Sequence, residues 1–382
     1  TGAAGRTWIH ASHASSTPAL HIKETYLEPN PAPASSFFSA AGNIVTFDIN
    51  KDLDEIVDMD VVCTLQNTNG SDAFTIASPY HLFDKDELLR GSDVIKTYYP
   101  LHRYLNDNVY YDSNERAPLQ YESRIDKTTR GMFSSANTIA SGATTDIYVH
   151  VPNVYTQCLI SPKQLRDVLK LRFYSSNAFG TSTSAAAVSD LSLVKMRLRV
   201  RTRVGLADKL SIQSSADYRI LDTIATSTTE VLSSGVEKSI ITKHFNDGDL
   251  YSHLMVITRP NGAANENLLN FVSHTSLVLE DEAGNNLTNG QTYTNEQYLY
   301  HIFPKHFKND MSQQSNKAIY VPLIASTDVI SDARKGTCSG SHRIPSNLRL
   351  KIVPNASATR EIHLIGKKFT HVSIKNGELK FH

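Results

Sequence analysis

Residues 191–204 read LSLVKMRLRVRTRV, and this stretch is the clearest indication of the fold class. From residue 195 onward, basic and non-basic side chains alternate, and a period of two puts every second side chain on one face of a β-strand. The cations of this basic stripe are Lys195, Arg197, Arg199, Arg201 and Arg203. The side chains predicted to face a core are Met196, Leu198, Val200 and Val204. The pattern therefore predicts a strand with one buried face and one charged outer face.

The bulk composition limits what the basic stripe can bind. The chain has 382 residues, with 38 Lys and Arg against 38 Asp and Glu, so its formal net charge is zero. Proteins that hold nucleic acid through its phosphates usually carry a basic surplus. We therefore predict no sequence-specific nucleic-acid binding and expect carboxylates elsewhere in the fold to balance the stripe. A chain of this length also indicates two domains rather than one small core.

The cysteines and the apolar runs exclude other classes of protein. Cys63, Cys158 and Cys338 are far apart and form no C-x-x-C motif, which disfavours a disulfide framework or a zinc cage and favours a reducing compartment. No apolar run approaches the roughly 18 residues of a membrane span. No signal peptide is visible, although the chain starts at Thr1.

Strand patterns dominate the rest of the chain. In the first half they cover 43–50, 57–66, 93–99, 146–151, 168–174 and 191–204, and in the second half 218–224, 238–245, 251–257, 275–281, 318–324, 347–353 and 361–366. Helix-like insertions lie at 101–111 and 294–307. Residues 1–40 are rich in Ala, Ser and Pro and are typical of an extended arm, with a short helix predicted near Ile22–Leu27.

These elements predict an all-β protein made of two successive jelly-roll β-sandwiches with short helical insertions. The expected division is an N-terminal arm at 1–40, a first jelly roll at 41–205, and a linker with a second jelly roll at 206–382. The late strands of the halves look alike: DIYV (146–149) matches AIYV (318–321), VLKLRF (168–173) matches NLRLKI (347–352), and each half ends on a strand, at 191–204 and 361–374. We interpret this similarity as an internal duplication.

With this plan the chain resembles the double jelly-roll major capsid proteins of icosahedral viruses with an internal membrane. Tectivirus, corticovirus and related marine phage coats, of the adenovirus lineage, are nearest in length and layout. The resemblance covers about Asn43 to Ile374 and rests on the overall plan, the late-strand series, the Pro- and Ala-rich arm, and the runs DVVCTLQNTNGSDAFTI (60–76) and ELLRGSDVIKTYY (87–99). The family has no short diagnostic motif, so no individual binding residue is transferred from it.

The resemblance implies a structural role. Each chain would carry two upright jelly rolls, three chains would form a homotrimer with a pseudo-hexagonal outline, and trimers would tile the shell. The implied partners are other copies of this chain, other capsid proteins and a lipid membrane beneath the shell. The implied location is the virion, after synthesis in the host cytoplasm. Neither catalysis nor a cofactor is expected.

The N-terminal arm commonly lies at the inner side of the shell in that family. Arg6 and Trp8 would then suit a lipid headgroup layer, where an indole and a cation are both favourable. The alternative is an arm whose single Trp packs on a neighbouring protein.

The sequence offers few signals for chemistry. GTCSGSH (336–342) has the form of a nucleophile elbow around Cys338, but no helix pattern follows it, so a glycine-rich loop is the better interpretation. His10 and His13 have no obvious third metal ligand, and FNDGDL (245–250) lacks the EF-hand pattern for calcium. A carbohydrate-binding β-sandwich or adhesin is the alternative function, with YYPLHRYLNDNVYY (98–111) as its aromatic-dense candidate surface.

The basic stripe is placed by the expected jelly-roll order, in which the last strand pairs beside the first. If the first strand is 43–50, it brings only Asp48 to the stripe, and Asp58 and Asp60 oppose Lys170 and Arg172 in the other sheet. The five cations of the basic stripe outnumber the single carboxylate, Asp48, that is predicted beside them. We therefore expect the basic stripe to form an interface with the neighbouring jelly roll or the next subunit, where the planar fork of Arg binds carboxylates well.

Overall fold

A computed structural model describes residues 21–76, 79–103, 137–180, 184–204, 215–243, 249–261, 274–287, 293–294, 318–323, 342–343 and 347–382. The chain divides into two compact units. Unit 1 holds the described residues up to Tyr218 together with His371–His382, and unit 2 holds the described residues of Arg219–Thr370.

Twenty strands account for most of the described residues. In the first half they are β1 His21–Leu27, β2 Ile44–Asp48, β3 Glu55–Asn67, β4 Phe74–Ile76, β5 Phe83–Arg90, β6 Asp93–Tyr98, β7 Asn137–Ile139, β8 Thr144–His150, β9 Leu169–Ser175 and β10 Leu191–Val204. In the second half they are β11 Ser215–Leu232, β12 Lys238–Lys243, β13 Leu250–Pro260, β14 His274–Asp281, β15 Tyr293–Thr294, β16 Ala318–Pro322, β17 His342–Arg343, β18 Asn347–Pro354, β19 Ala358–Lys375 and β20 Glu378–Phe381.

Helices in the described parts are short. The α-helix α1 covers Val154–Cys158, and 3-10 turns cover Phe37–Ser39, Pro79–Leu82, Pro162–Gln164 and Val188–Asp190. Helix α1 begins at Asn153, whose side chain accepts a hydrogen bond from the backbone N–H of Tyr155. No described helix has the length and apolar character needed to cross a membrane.

Unit 1 is a jelly roll of two four-stranded sheets. The first sheet has the order β1-β10-β3-β8 and the second has the order β2-β9-β5-β6, with β4 and β7 forming a separate small ladder. Counted along the eight long strands, the first sheet joins strands one, eight, three and six, and the second joins two, seven, four and five. This is the interleaved pairing of two Greek keys that makes a jelly roll.

Unit 2 repeats the same strand order. Its first sheet runs β11-β19-β13-β16 and its second runs β12-β18-β14-β15. The three strand matches predicted from sequence fall on equivalent positions: β8 with β16, β9 with β18, and β10 with β19. The prediction of an all-β protein with two successive jelly rolls is therefore confirmed.

The core of unit 1 lies between its two sheets. Along β9, buried and half-buried side chains alternate through all seven residues, as the period of two requires. Phe47, Phe83 and Phe173 pack as a buried aromatic group, with ring centroids 5.9 Å and 5.0 Å from Phe173. The predicted core face of β10 is confirmed at Met196, Leu198 and Val200, which are all buried.

The sequence interpretation was wrong for residues 22–27, where a short helix was predicted. HIKETYL (21–27) is strand β1, the first strand of the jelly roll. Residues 22–24 are exposed on both faces of the sheet, so no amphipathic pattern marks this segment. Its backbone is held by antiparallel pairing with β10 from Leu27↔Leu198 to His21↔Val204, an interaction that local sequence does not reveal.

Strand β5 was also missed, because its buried positions include charged residues. Asp86 is 1% exposed and forms a two-point ion pair with Arg103, at 2.6 and 2.7 Å. Neighbouring Glu87 is buried as well and is bonded by Lys85 at 2.6 Å. A strand whose carboxylates are buried by ion pairs breaks the apolar alternation by which strands are recognised.

The C-terminal segment of the chain groups with unit 1. Strand β19 turns at Asn376 and Gly377 into β20, and His371–His382 belongs to unit 1. Within that unit the backbone N–H of Arg166 donates to the Gly377 carbonyl at 2.7 Å, and the Arg90 side chain donates to the Leu379 carbonyl. The division predicted from the sequence, with a linker and second jelly roll at 206–382, stays a prediction.

Candidate functional site

The basic stripe lies near the middle of a sheet. Strand β10 is paired on one side with β1 and on the other with β3. In this register Arg201 stands between Glu24 and Asp58, and Arg199 stands between Tyr26 and Asp60. Both flanking strands therefore bring carboxylates to the stripe from the same sheet.

The Arg199–Asp60 pair is the buried centre of this arrangement. Two guanidinium nitrogens of Arg199, Nε and Nη2, donate to Asp60 Oδ2 at 3.1 and 2.6 Å. Arg199 is 7% exposed and Asp60 is 1% exposed. The Arg199 guanidinium also lies 4.8 Å from the ring centroid of Tyr148, which shields it from water by a cation–π contact.

His150, the last residue of β8, completes the cluster on the far side of β3. Its Nδ1 lies 3.2 Å from Asp58 Oδ1 and 3.4 Å from Asp60 Oδ1. Burial alone would lower the pKa of His150, but the hydrogen bonds and charges of the two carboxylates outweigh it and hold that pKa well above its ordinary value. His150 is therefore a buried imidazolium at neutral pH.

Charges within the cluster balance. The cations are Arg199, Arg201 and His150, and the carboxylates are Glu24, Asp58 and Asp60. Although burial opposes ionisation, the hydrogen bond from His150 and the nearby positive charges hold the pKa of Asp58 below its ordinary value. Each charge therefore has an opposite charge as a neighbour, as a buried ionic network requires.

Asp58, Asp60 and His150 are also residue types that bind metal ions, and their ligand atoms lie within 4.8 Å of one another. In this cluster, however, guanidinium groups already contact both carboxylates, and His150 Nδ1, which carries a proton in the imidazolium, lies within 3.4 Å of both. A divalent cation would have to displace that proton and approach two arginines. We assign the cluster a structural ionic role.

The ends of the basic stripe are more exposed. Lys195 Nζ lies 3.4 Å from Glu28 Oε1, with both side chains about half exposed, and Arg203 Nη1 lies 3.7 Å from Glu55 Oε2. The Arg197 guanidinium lies 4.5 Å from the ring centroid of Tyr26. The hydrogen bond that Tyr26 donates to Glu24, together with burial, raises the pKa of its hydroxyl to about 12.

The predicted cross-strand charge pairs were wrong. Asp48 opposes Lys170 at 3.4 Å in the second sheet, whereas Asp58 and Asp60 oppose the arginines of the stripe. The rule that the last strand pairs beside the first holds, but β1 rather than β2 is the first strand. Because β2 was taken as that strand, every acidic partner was assigned to the wrong sheet.

Several predicted residues lie outside the described parts of the chain, namely Arg6, Trp8, His10, His13, Asp247, Cys338 and most of 98–111. Of the suspected calcium turn, Asp249 is described and is bonded by Lys368 at 3.0 Å. Cys63 and Cys158 are buried free thiols.

Two members of the cluster, His150 and Glu24, were not predicted as site residues from the sequence. A signal for His150 existed, because Asp146, Tyr148 and His150 share one face of a strand of period two. No sequence signal indicated Glu24, because its segment was predicted as a helix and not as a strand.

Comparisons with known proteins find similarity in structure rather than in sequence. No protein-family model matches the chain, and no curated protein matches it. The crystal structure of VP54 of PBCV-1, which was fitted into a cryo-EM reconstruction of the virophage Sputnik, is similar over 95% of this chain and 96% of its own, with a TM-score of 0.68 and 13% identity. The Faustovirus major capsid protein covers 95% of this chain and 92% of its own, with a TM-score of 0.66 and 9% identity.

The mavirus major capsid protein is similar as well, with a TM-score of 0.52 and 10% identity over 97% of this chain and 92% of its own. These likenesses span both jelly rolls at identities that carry no sequence signal. The chain has the double jelly-roll fold of viral major capsid proteins.

Proposed function

We propose that this chain is a major capsid protein that builds the shell of an icosahedral virus. One observation carries the proposal: the jelly-roll strand order occurs twice in one chain, and capsid proteins with the same fold match nearly the full length in both directions. A self-assembling coat must pack many copies closely, and a formal net charge of zero limits the repulsion between them.

The finer assembly belongs to the same proposal. The chain forms a homotrimer, trimers tile the shell together with other capsid proteins, and a lipid membrane lies beneath them. Arg6 and Trp8 of the N-terminal arm are its candidate contacts with that membrane. The protein is made in the host cytoplasm, acts in the virion and has no enzymatic role.

The basic stripe remains our candidate for a contact between subunits, now at its exposed end. Arg199 and Arg201 are already bound by carboxylates of their own sheet. At that end Lys195 is about half exposed, and Tyr26, at 39% exposure, contacts the neighbouring Arg197. Ile22, at 67% exposure, stands opposite Arg203 at the other end of the stripe. Exposed apolar residues beside charged ones are typical of protein–protein contacts.

Mass measurement and imaging test the proposal directly. Light scattering after size-exclusion chromatography of the purified chain should give three times the mass of one chain, and electron microscopy of concentrated samples should show trimers or shells. A stable monomer that binds a glycan array would overturn the proposal in favour of the adhesin alternative.

A further inference from the structure

The central strands of unit 2 carry two buried bases side by side. His253 on β13 is directly opposite Lys367 on β19, next to a β-bulge in the ladder. His253 is 0% exposed and Lys367 is 3% exposed. If the imidazole gained a proton, two like charges would face each other across neighbouring strands without water, an arrangement that destabilises a sheet.

The surroundings of this pair keep the imidazole neutral. Lys367 Nζ donates to Thr223 Oγ1 of β11 at 2.5 Å. Ser252 Oγ lies 2.9 Å from His253 Nδ1 and donates to the Lys367 carbonyl at 3.3 Å. Burial, and next to it the Lys367 charge, lower the pKa of His253 to about 3.

Other ionisable residues flank the pair at known positions. On β19, Lys368 follows Lys367 and is bonded to Asp249 at 3.0 Å. Strand β17 brings His342 and Arg343 into register with Tyr251 and Leu250 of β13, and β16 brings Pro322 opposite His253.

A second buried histidine lies in the other sheet of unit 2. His274, the first residue of β14, is 4% exposed and stands opposite Pro354 of β18. Neither of its ring nitrogens has a hydrogen-bond partner in the structure. Burial lowers the pKa of His274 to about 4, because the charged ring would lack both water and a partner.

We propose that His253, opposite Lys367, and His274 form an acid-sensitive latch that opens unit 2 before unit 1. Both imidazoles are neutral in the folded unit. In the unfolded chain, each takes up a proton when the pH falls below the ordinary pKa of histidine. Acid therefore favours separation of β13 from β19 and of β14 from β18. The latch is a property of one chain and stands whether or not that chain builds a capsid.

The proposal is tested by amide hydrogen exchange of the full chain at pH 7 and pH 5, corrected for the intrinsic effect of pH. Below about pH 6.5 the opening equilibrium constant of β13 should rise about tenfold per pH unit for each histidine that is neutral only in the folded state. Strands β3 and β10 of unit 1 should keep their protection over the same range. Equal protection of β13 at both pH values would overturn the proposal.

Variants identify the groups responsible. His253→Gln and His274→Gln should each remove about tenfold per pH unit from the acid response of unit 2. His371→Gln is the matched control, because that side chain is 48% exposed and faces Asp217. His363→Gln is a control within unit 2 with a smaller expected effect, because Glu361 lies 3.3 Å from its ring.

A direct measurement covers the case in which a variant fails to fold. Exchange of the histidine C2 hydrogen, followed by mass spectrometry, reports the titration of each ring in the native wild-type chain. His253 and His274 should show no titration between pH 7 and pH 5, and titration of both within that range would exclude the latch.

Discussion

Each jelly roll pairs its third long strand with its last one. The side chains that face each other there have opposite charges in unit 1 and are both bases in unit 2. In unit 1, β3 and β10 set Asp60 opposite Arg199, with His150 held as a cation beyond them. In unit 2, β13 and β19 set His253 opposite Lys367. One strand order thus supports a buried ionic network in one unit and a pair of buried bases in the other.

This difference separates the responses of the two units to pH. The His150 pKa is raised, so its contribution to stability is complete below its unfolded pKa and is lost as the pH rises through the folded value. The pKa values of His253 and His274 are lowered in the folded state, so only the unfolded chain takes up these protons. The folded state therefore loses stability as the pH falls below the unfolded pKa. In the histidine titration range, His150 therefore makes unit 1 lose stability as the pH rises, whereas His253 and His274 make unit 2 lose stability as the pH falls.

The largest expected effect comes from breaking the ionic network of unit 1. Asp60→Asn removes the charge that compensates buried Arg199 and His150. Breaking a buried ion pair on one side costs about 3–5 kcal/mol, measured here as the free energy of unfolding in urea. Asp48→Asn is the control, because its pair with Lys170 is about half exposed and should cost less than about 0.5 kcal/mol. Equal losses in the two variants would show that the network does not stabilise unit 1.

The next largest effect concerns His150. His150→Gln keeps hydrogen-bonding ability but removes the charge, and losing hydrogen bonds between charged groups costs about 1.5–3 kcal/mol. The difference from wild type should be full at pH 6 and should shrink as the pH rises through the folded pKa of His150. Urea unfolding of both proteins from pH 6 to pH 10 measures it. A difference independent of pH would mean that His150 acts by packing alone.

Removing the buried ammonium from unit 2 should weaken the acid response of that unit. Lys367→Met keeps the length of the side chain and takes away the ammonium that helps to lower the pKa of His253. For each unit by which the pKa of His253 rises in the variant, the free energy of unfolding in acid should increase by about 1.4 kcal/mol. Urea unfolding between pH 7 and pH 5 should therefore show a weaker acid response in the variant. An unchanged response would assign the effect to burial alone.

The smallest effect on stability is expected at the exposed end of the basic stripe. Lys195→Ser removes a half-exposed ion pair with Glu28 and should change the free energy of unfolding by less than about 0.5 kcal/mol. If the stripe contributes to a subunit interface, this variant should still weaken assembly in light scattering. Lys238→Ser is the matched control in unit 2, where a similarly exposed lysine lies 3.2 Å from Glu230. Normal assembly of Lys195→Ser would remove this contact from the proposed interface.

Segments with a clean period of two were predictable from sequence. The run at 191–204 is a strand with the core face that its alternation indicates, and the late strands of the halves match in the predicted pairs. Strands β1 and β5 were not predictable in this way. β1 is exposed on both faces at residues 22–24, and β5 buries Asp86 under Arg103, so neither shows apolar alternation.

The fold class, the repetition of the jelly roll and the balance of charge can be inferred from the sequence, because period, order and composition are local or additive properties. Which charges meet depends on the tertiary structure. Arg199 and Arg201, at the centre of the basic stripe, are paired within their own sheet with Glu24, Asp58 and Asp60, carboxylates more than 130 residues away in the chain. Which charged residues pair depends on strand register and on which strand is the first of the jelly roll. Taking β2 instead of β1 as the first strand therefore assigns every acidic partner to the wrong sheet.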